Sequence, residues 1–293
     1  DHQWTTKYPE FYHKDEGGNF TGLHGWIDVI DLNYTIPAMR AEMIASMKHW
    51  IHKFDIDGFR CDMARTVPLD FWLEARAECD TLKSLLWLAE CEVFDYHEVF
   101  DITYGWEAMR ALDKYFATGE TTLAQVKDIL KNYAQYPAGA LKLLFTSNHD
   151  ENTYYGTEYE KYGAAAEAVA VFTCSWPGIP LIYSGQELPN KKRLSFFEKD
   201  EIEWTTNIAL HEFYGKLLNL RLENRALQSG ASVLILKTNH LDILAYLCRK
   251  DDDKILVMVN FGKEKSDFEF DHQAASGNYV DLFKNEHAYL KRK

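Results

Sequence analysis

The chain has 293 residues, with 45 acidic against 32 basic side chains and a net charge of -13. That balance, with no basic run beyond Lys191-Lys192-Arg193, argues against nucleic acid and anionic membrane surfaces as partners. No apolar run reaches the length of a membrane span.

The length admits a large core in one or two domains. Aromatic residues make up 14%, with eight Trp and seventeen Tyr, and such rings serve either as core or as platforms for sugar rings. The five cysteines (61, 79, 91, 174 and 248) form no CxxC pair and are odd in number, so no disulfide framework is expected. Cys61, Cys91 and Cys174 lie in apolar surroundings and read as small buried hydrophobes. No signal peptide is visible, and the start Asp1-His2-Gln3-Trp4 has no Met.

Residues 1–31 are rich in aromatics, Gly and charge, with the turn cluster Asp15-Glu16-Gly17-Gly18-Asn19, and read as a long irregular loop. Thr35-Ile36-Pro37 opens a helix with apolar residues at Met39, Met43, Met47, Trp50, Ile51 and Phe54, a three- and four-residue spacing that puts the methionines in the core. A strand follows at Asp57-Gly58-Phe59-Arg60-Cys61-Asp62. Residues two apart share a strand face, so Arg60 and Asp62 point one way while Phe59 and Cys61 point the other. Next come a helix over about 70–80, a strand Leu85 to Glu90, a short strand Phe100 to Thr103, and helices over about 106–117 and 122–134. The strand Leu141 to Ser147 runs into Asn148-His149-Asp150. A helix of small and apolar residues, Gly163 to Thr173, leads to a buried strand Pro180 to Tyr183, and an amphipathic helix over about 208–224 closes the series.

Short apolar strands alternating with helices mean parallel βα units. Three of the five strands carry a charged or polar cluster at their C-terminal end, where catalytic residues sit in a (β/α)8 barrel. The pattern then shifts near Ala226. Short β-type runs at Ser232–Thr238, Asp242–Arg249, Lys254–Phe261, Asp267–Asp271 and Tyr279–Phe283 are separated by turn residues, which predicts a small antiparallel domain. The division is therefore 1–31, 32–225 and 226–293.

The charged strand ends supply the chemistry. Arg60 beside Asp62 suits an ionised carboxylate nucleophile, although alone the pair reads equally well as a buried structural ion pair. Glu90, following Leu86 and Leu88 on one face, sits where lost solvation suits a general acid. Two carboxyls whose proton affinities are pushed apart define acid and nucleophile roles, and a separation of roughly 5–5.5 Å gives retention. Asp150 and His149 are placed to hydrogen-bond sugar hydroxyls; alone, Asn148-His149-Asp150 reads as a turn with an Asx bond.

These residues stand in motifs that resemble the α-amylase family of retaining glycoside hydrolases. Asp57 to Asp62 is similar to the family's second region at barrel strand 4, Trp87-Leu88-Ala89-Glu90 to its third after strand 5, and Phe145 to Asp150 to its fourth after strand 7. Gly178 to Glu187 resembles the strand-8 segment, and Trp26 to Asn33 with Pro37 and Arg40 the exit from the family's B domain. The resemblance implies a (β/α)8 TIM barrel, represented by about strands 4–8, with a C-terminal antiparallel β-domain. It also implies Asp62 as nucleophile, Glu90 as acid/base, Asp150 as transition-state stabiliser, and Arg60 and His149 as substrate-binding partners. The implied substrate is an α-glucan or maltooligosaccharide, and the implied compartment is extracytoplasmic.

Two departures bear on these expectations. The family's first region is not found, so the chain is expected to begin inside the B-domain loop, with strands 1 to 3 lying outside it. Five strands cannot close a barrel, and no starch hydrolysis is expected of these residues alone. The family's Lys-His after the nucleophile is replaced by Arg65 and Thr66. No metal ligands and no required cofactor are read from the residues, and the calcium ion that many members hold would take its other ligands from the region not found. An exo-acting α-glucosidase or a transglycosylase is the nearest alternative, and a non-catalytic carbohydrate-binding or scaffold relative the more distant one. Tyr154 and Tyr155 read as surface aromatics or as a sugar platform, and Glu92 lies one step beyond the strand end that carries Glu90.

Overall fold

The computed structural model describes residues 2–22, 25, 26, 28–137, 139–270 and 273–290. Two compact units, residues 1–103 and 104–293, divide the chain.

In the first unit, the stretch read as irregular holds a short helix α1 (Trp4–Lys7) and isolated antiparallel bridges from Tyr12 to Leu32 and from Lys14 to Phe20. Phe11 and Tyr12 are buried there with Met39. Helix α2 (Pro37–Phe54) begins with proline at its first turn, where the missing N–H costs nothing, and stops at Asp55 in the left-handed conformation. Its buried stripe is Met39, Ile44, Met47 and Ile51. Trp50 and Phe54, expected in that stripe, are more than half exposed and stack on each other with centroids 4.8 Å apart.

Strand β1 (Gly58–Cys61), helix α3 (Leu69–Cys79), strand β2 (Leu86–Ala89) and strand β3 (Ile102–Tyr104) follow, the last running into the second unit. Strands β1 and β2 pair in parallel, with Arg60 opposite Leu88 and Cys61 opposite Ala89. Strand β3 continues the parallel sheet, with Leu88 opposite Ile102. A Cβ on Gly58 would lie 2.2 Å from the Leu86 carbonyl oxygen, so only glycine lets the two strands approach this closely. The face bearing Phe59, Cys61, Trp87 and Ala89 packs into one core with Ile44, Met47 and Ile51 of α2 and Phe71, Trp72, Ala75 and Cys79 of α3. Full burial of each large side chain in such a core contributes about 1.5–3 kcal/mol. Arg60 is thereby left on the opposite face.

The second unit contains helices α4 (Trp106–Ala117) and α5 (Leu123–Asn132), strand β4 (Leu141–Phe145), helices α6 (His149–Tyr154), α7 (Glu158–Tyr162) and α8 (Ala166–Ser175), strand β5 (Ile179–Leu181) and helix α9 (His211–Glu223). Capping boxes start α5 (Thr122 with Gln125) and α7 (Thr157 with Glu160). Strands β4 and β5 are parallel, with Leu143 opposite Ile179. Gly178 repeats the device of Gly58: a Cβ there would meet the Lys142 carbonyl oxygen at 2.4 Å.

The antiparallel C-terminal sheet consists of β6 (Ser232–Leu236), β7 (Ile243–Lys250) and β8 (Asp253–Asn260) in sequence order. A separate hairpin pairs β9 (Gly277–Val280) with β10 (His287–Leu290). The run at Asp267–Asp271 is not a strand among the described residues: Phe270 makes one bridge to Thr238, and Asp271 lies outside them. The strand His287–Leu290 was not anticipated from the sequence.

The β6–β8 sheet is fastened to the helices of its unit. Tyr246 is fully buried, with its hydroxyl 2.6 Å from Ser175 Oγ and its ring 5.0 Å from that of Trp176. Tyr115 donates to Asp242 at 2.6 Å, and Lys127 to the Ile243 carbonyl at 2.9 Å.

Candidate active site

Asp62 follows the last residue of β1 and Glu90 the last residue of β2. The parallel register brings these two strand ends side by side, and the Glu90 N–H donates to the Cys61 carbonyl at 2.9 Å. Arg60 projects on the same side and grips both carboxylates. Its Nη1 donates to Asp62 Oδ1, while Nη2 lies 3.1 Å from Glu90 Oε2. A planar guanidinium is suited to such a two-sided grip. The sequence reading gave the arginine to Asp62 alone; in the structure it is shared.

The two carboxylates differ sharply in setting. The Asp62 side chain is 72% exposed and that of Glu90 only 10%. Glu90 also accepts from the Met63 N–H at 2.9 Å. Met63 turns its amide that way by adopting the left-handed conformation (φ 42°, ψ 40°), an uncommon one for a non-glycine residue. Nothing in the sequence marks Met63 for this role. Glu92 is occupied with Arg65 at 3.7 Å.

Asp62 and Met63 border an open cavity of about 940 Å³, whose wall also includes Trp26, Ile30, Tyr34 and Arg40. Its size is that of a small-molecule site, and its lining mixes apolar surface with a few convergent polar groups.

In the second unit, β4 ends in a built turn. The Asn148 side chain accepts from the N–H groups of Asp150 (3.0 Å) and Glu151 (2.8 Å), capping α6. The Asx turn and the functional reading of Asn148-His149-Asp150 are therefore compatible: the turn is what aims the two side chains. His149 Nε2 lies 3.4 Å from Asp150 Oδ2, and the histidine side chain is 56% exposed. Behind them, Glu151 reaches Lys161 at 2.7 Å, and Lys161 reaches Asp113 at 3.1 Å, itself bonded by the Tyr162 hydroxyl. Gln186, from the segment after β5, donates to Thr146 Oγ1 (2.5 Å) and Tyr214 (3.0 Å), and accepts from the Tyr183 N–H at 2.6 Å. The sequence reading missed Glu151, Lys161 and Gln186 as supports. A buried carboxylate next to Asp150 is visible in sequence only as one more acidic residue.

Among the described residues, no three His, Cys, Asp or Glu side chains are grouped to hold a metal ion.

Parallel βα units with carboxylates and an arginine at their strand C-termini are the layout of a barrel enzyme. Residues 11–213 match the family described as Alpha amylase, catalytic domain, and residues 233–291 the one described as Maltogenic Amylase, C-terminal domain. The chain belongs to the alpha-amylase family. It is 29% identical over 251 residues to Alpha-amylase MalA of Haloarcula japonica, an alignment covering 82% of this chain and 36% of that protein. With a maltogenic alpha-amylase of Bacillus acidopullulyticus it shares 24% over 285 residues, 87% of this chain and 46% of that one. Among solved structures, maltogenic alpha-amylase AmyB of Thermotoga neapolitana superposes with a TM-score of 0.86 and 28% identity, over 99% of this chain and 69% of that one. The chain thus spans less than half the length of these two curated relatives. Its fold is that of the family: parallel βα units of a TIM barrel followed by an antiparallel C-terminal sheet.

Proposed function

We propose that this chain carries the catalytic centre of an α-amylase-type glycoside hydrolase, cleaving α-glucosidic bonds of starch-like glucans or maltooligosaccharides by a retaining double displacement. The observation that carries the reading is the shared guanidinium. Arg60 holds one exposed and one buried carboxylate on adjacent strand ends, an unequal pair of the kind that divides nucleophile from acid/base.

Asp62, exposed beside the 940 Å³ cavity and held by Arg60, attacks the anomeric carbon as the glycosidic bond breaks. Glu90 donates a proton to the departing oxygen, then takes one from the water that releases the sugar from Asp62. Glu90 is only 10% exposed and is braced by Arg60 and the Met63 N–H, which hold it in place for both steps. Asp150 and His149 are assigned to sugar hydroxyls, which they grip more tightly as the ring flattens. The names of the relatives favour maltooligosaccharides among the substrates, as does the match of residues 233–291 to a maltogenic amylase domain.

The test uses Asp62 variants of the full-length protein. Asp62→Asn is expected to lower kcat by several orders of magnitude with its thermal transition unchanged. Azide should restore turnover of Asp62→Ala with inverted product. Near-normal hydrolysis by Asp62→Asn ends the assignment.

A further inference from the structure

Helix α6 has two unlike faces. Glu151 and Asn152 are buried, at 5% and 3% exposure, whereas Tyr154 is 54% exposed, the His149 side chain 56% and that of Asp150 30%. Asp150 and Tyr154 share a face, since residues four apart lie on one side of a helix. Asp150 and Tyr154 are thus one turn apart, a rise of ~6 Å, close to the length of one hexose unit in a glucan.

Tyr154 is not an isolated surface ring. Its centroid is 4.8 Å from that of Phe196, which in turn stands 4.8 Å from Phe197 edge to face. Phe197 is 76% exposed. Five hydrogen bonds fix the loop bearing these phenylalanines. Asn152 accepts from the Leu194 N–H (2.8 Å) and donates to the Lys192 carbonyl (3.2 Å), and Thr153 donates to the Leu194 carbonyl (2.7 Å). Asp200 accepts from Lys192 Nζ (2.5 Å) and from the Ser195 N–H (3.1 Å). Exposed rings on a tethered loop lose little conformational freedom when a ligand lands on them.

We propose that Tyr154 and Phe196 form a docking platform for a glucose unit of an α-linked glucan, next along the chain from the unit held by His149 and Asp150. The inference rests on the function proposed above and adds to it a preference for longer chains. A sugar ring presents an apolar C–H face and a rim of hydroxyls. The α6 surface matches both, with rings at one end and an imidazole and a carboxylate at the other. The chain's net charge of -13 disfavours a polyanion on the same surface.

The experiment compares Tyr154→Ala, Tyr154→Phe and Phe196→Ala in the full-length protein. Affinity for maltoheptaose and maltotriose is read by titration in an Asp62→Asn background, and kcat/KM for both sugars in the active background. Tyr154→Ala and Phe196→Ala are each expected to weaken maltoheptaose binding on the order of tenfold, as loss of one aromatic anchor does. The ratio of kcat/KM on maltoheptaose to that on maltotriose should fall in step, and Tyr154→Phe should restore both readings. Unchanged maltoheptaose affinity overturns the platform, as does an equal loss on both sugars or a change of oligomeric state without a change in the ratio. If the active protein hydrolyses neither sugar while Tyr154→Ala still weakens maltoheptaose binding, the catalytic reading fails and the platform stands.

Discussion

Lys161 Nζ lies 2.7 Å from Glu151 Oε2, and each side chain is only 6% exposed. This ion pair sits directly behind Asp150 and ties α6 to α7. Its strength lies in completeness, since Asp113 takes a second donor position of Lys161. Removing one member of a buried pair leaves an uncompensated charge. Lys161→Met should therefore destabilise the fold by about 3–5 kcal/mol in denaturant titrations. Adding Glu151→Gln should recover part of that loss. A single-variant loss under about 1 kcal/mol would mean the pair is better solvated than its burial indicates.

Arg60→Lys keeps the charge but not the fork. An ammonium cannot face Asp62 and Glu90 in one plane as the guanidinium does, so the two carboxylates lose their common brace. A displacement of about 1 Å at the reacting groups costs on the order of 10²-fold in kcat. The effect should appear in kcat on a maltooligosaccharide, with the melting temperature little changed. Equal activity in the two proteins would remove Arg60 from the catalytic geometry.

Met63 supplies a backbone test. Its left-handed conformation disfavours β-branched side chains most and glycine least. Met63→Val should cost about 1–2 kcal/mol of stability, whereas Met63→Gly should match or exceed the parent in melting temperature. Both variants keep the N–H donated to Glu90, so kcat should survive in any folded molecule.

Glu158 predicts a pH dependence. Burial raises its carboxyl above the ordinary 4.5, and its Oε1 has no hydrogen-bond partner among the described residues. The folded chain therefore holds this proton more tightly than the unfolded chain does. Its contribution to stability is complete below about pH 4.5 and is lost as pH rises through the higher folded value. Glu158→Gln should accordingly be more stable than the parent at pH 7 to 8, with the difference shrinking toward pH 4. A constant difference across that range would show that the group does not titrate with folding.

Most of the architecture was legible because apolar periodicity and strand length survive in a single sequence. The helix opened by Pro37, the strand holding Arg60 and the alternation through Tyr183 all appear close to where the pattern puts them. Trp50 and Phe54 misled because helical spacing shows which residues share a face but not how wide the buried stripe is. At the site, the residue types and their strand ends could be read, but the sharing of Arg60 between two carboxylates depends on the register of β1 against β2. The turn of Met63 depends on a backbone angle that its side chain does not advertise. Lys161 was invisible for a similar reason, since its partner is chosen by the packing of α7 on α6.

All five cysteines are buried, and none of them forms a disulfide with another. Lost solvation pushes the thiols of Cys61 and Cys248 up to about 12 and those of Cys79 and Cys174 to about 11. A thiol in that state is a poor nucleophile, so the native protein should ignore alkylating reagents at neutral pH. Labelling then becomes a clock for opening. Cys61, Cys79 and Cys91 lie in the first unit and Cys174 and Cys248 in the second. The order in which peptides gain mass during pulsed alkylation would therefore reveal which half of the chain loosens first on heating.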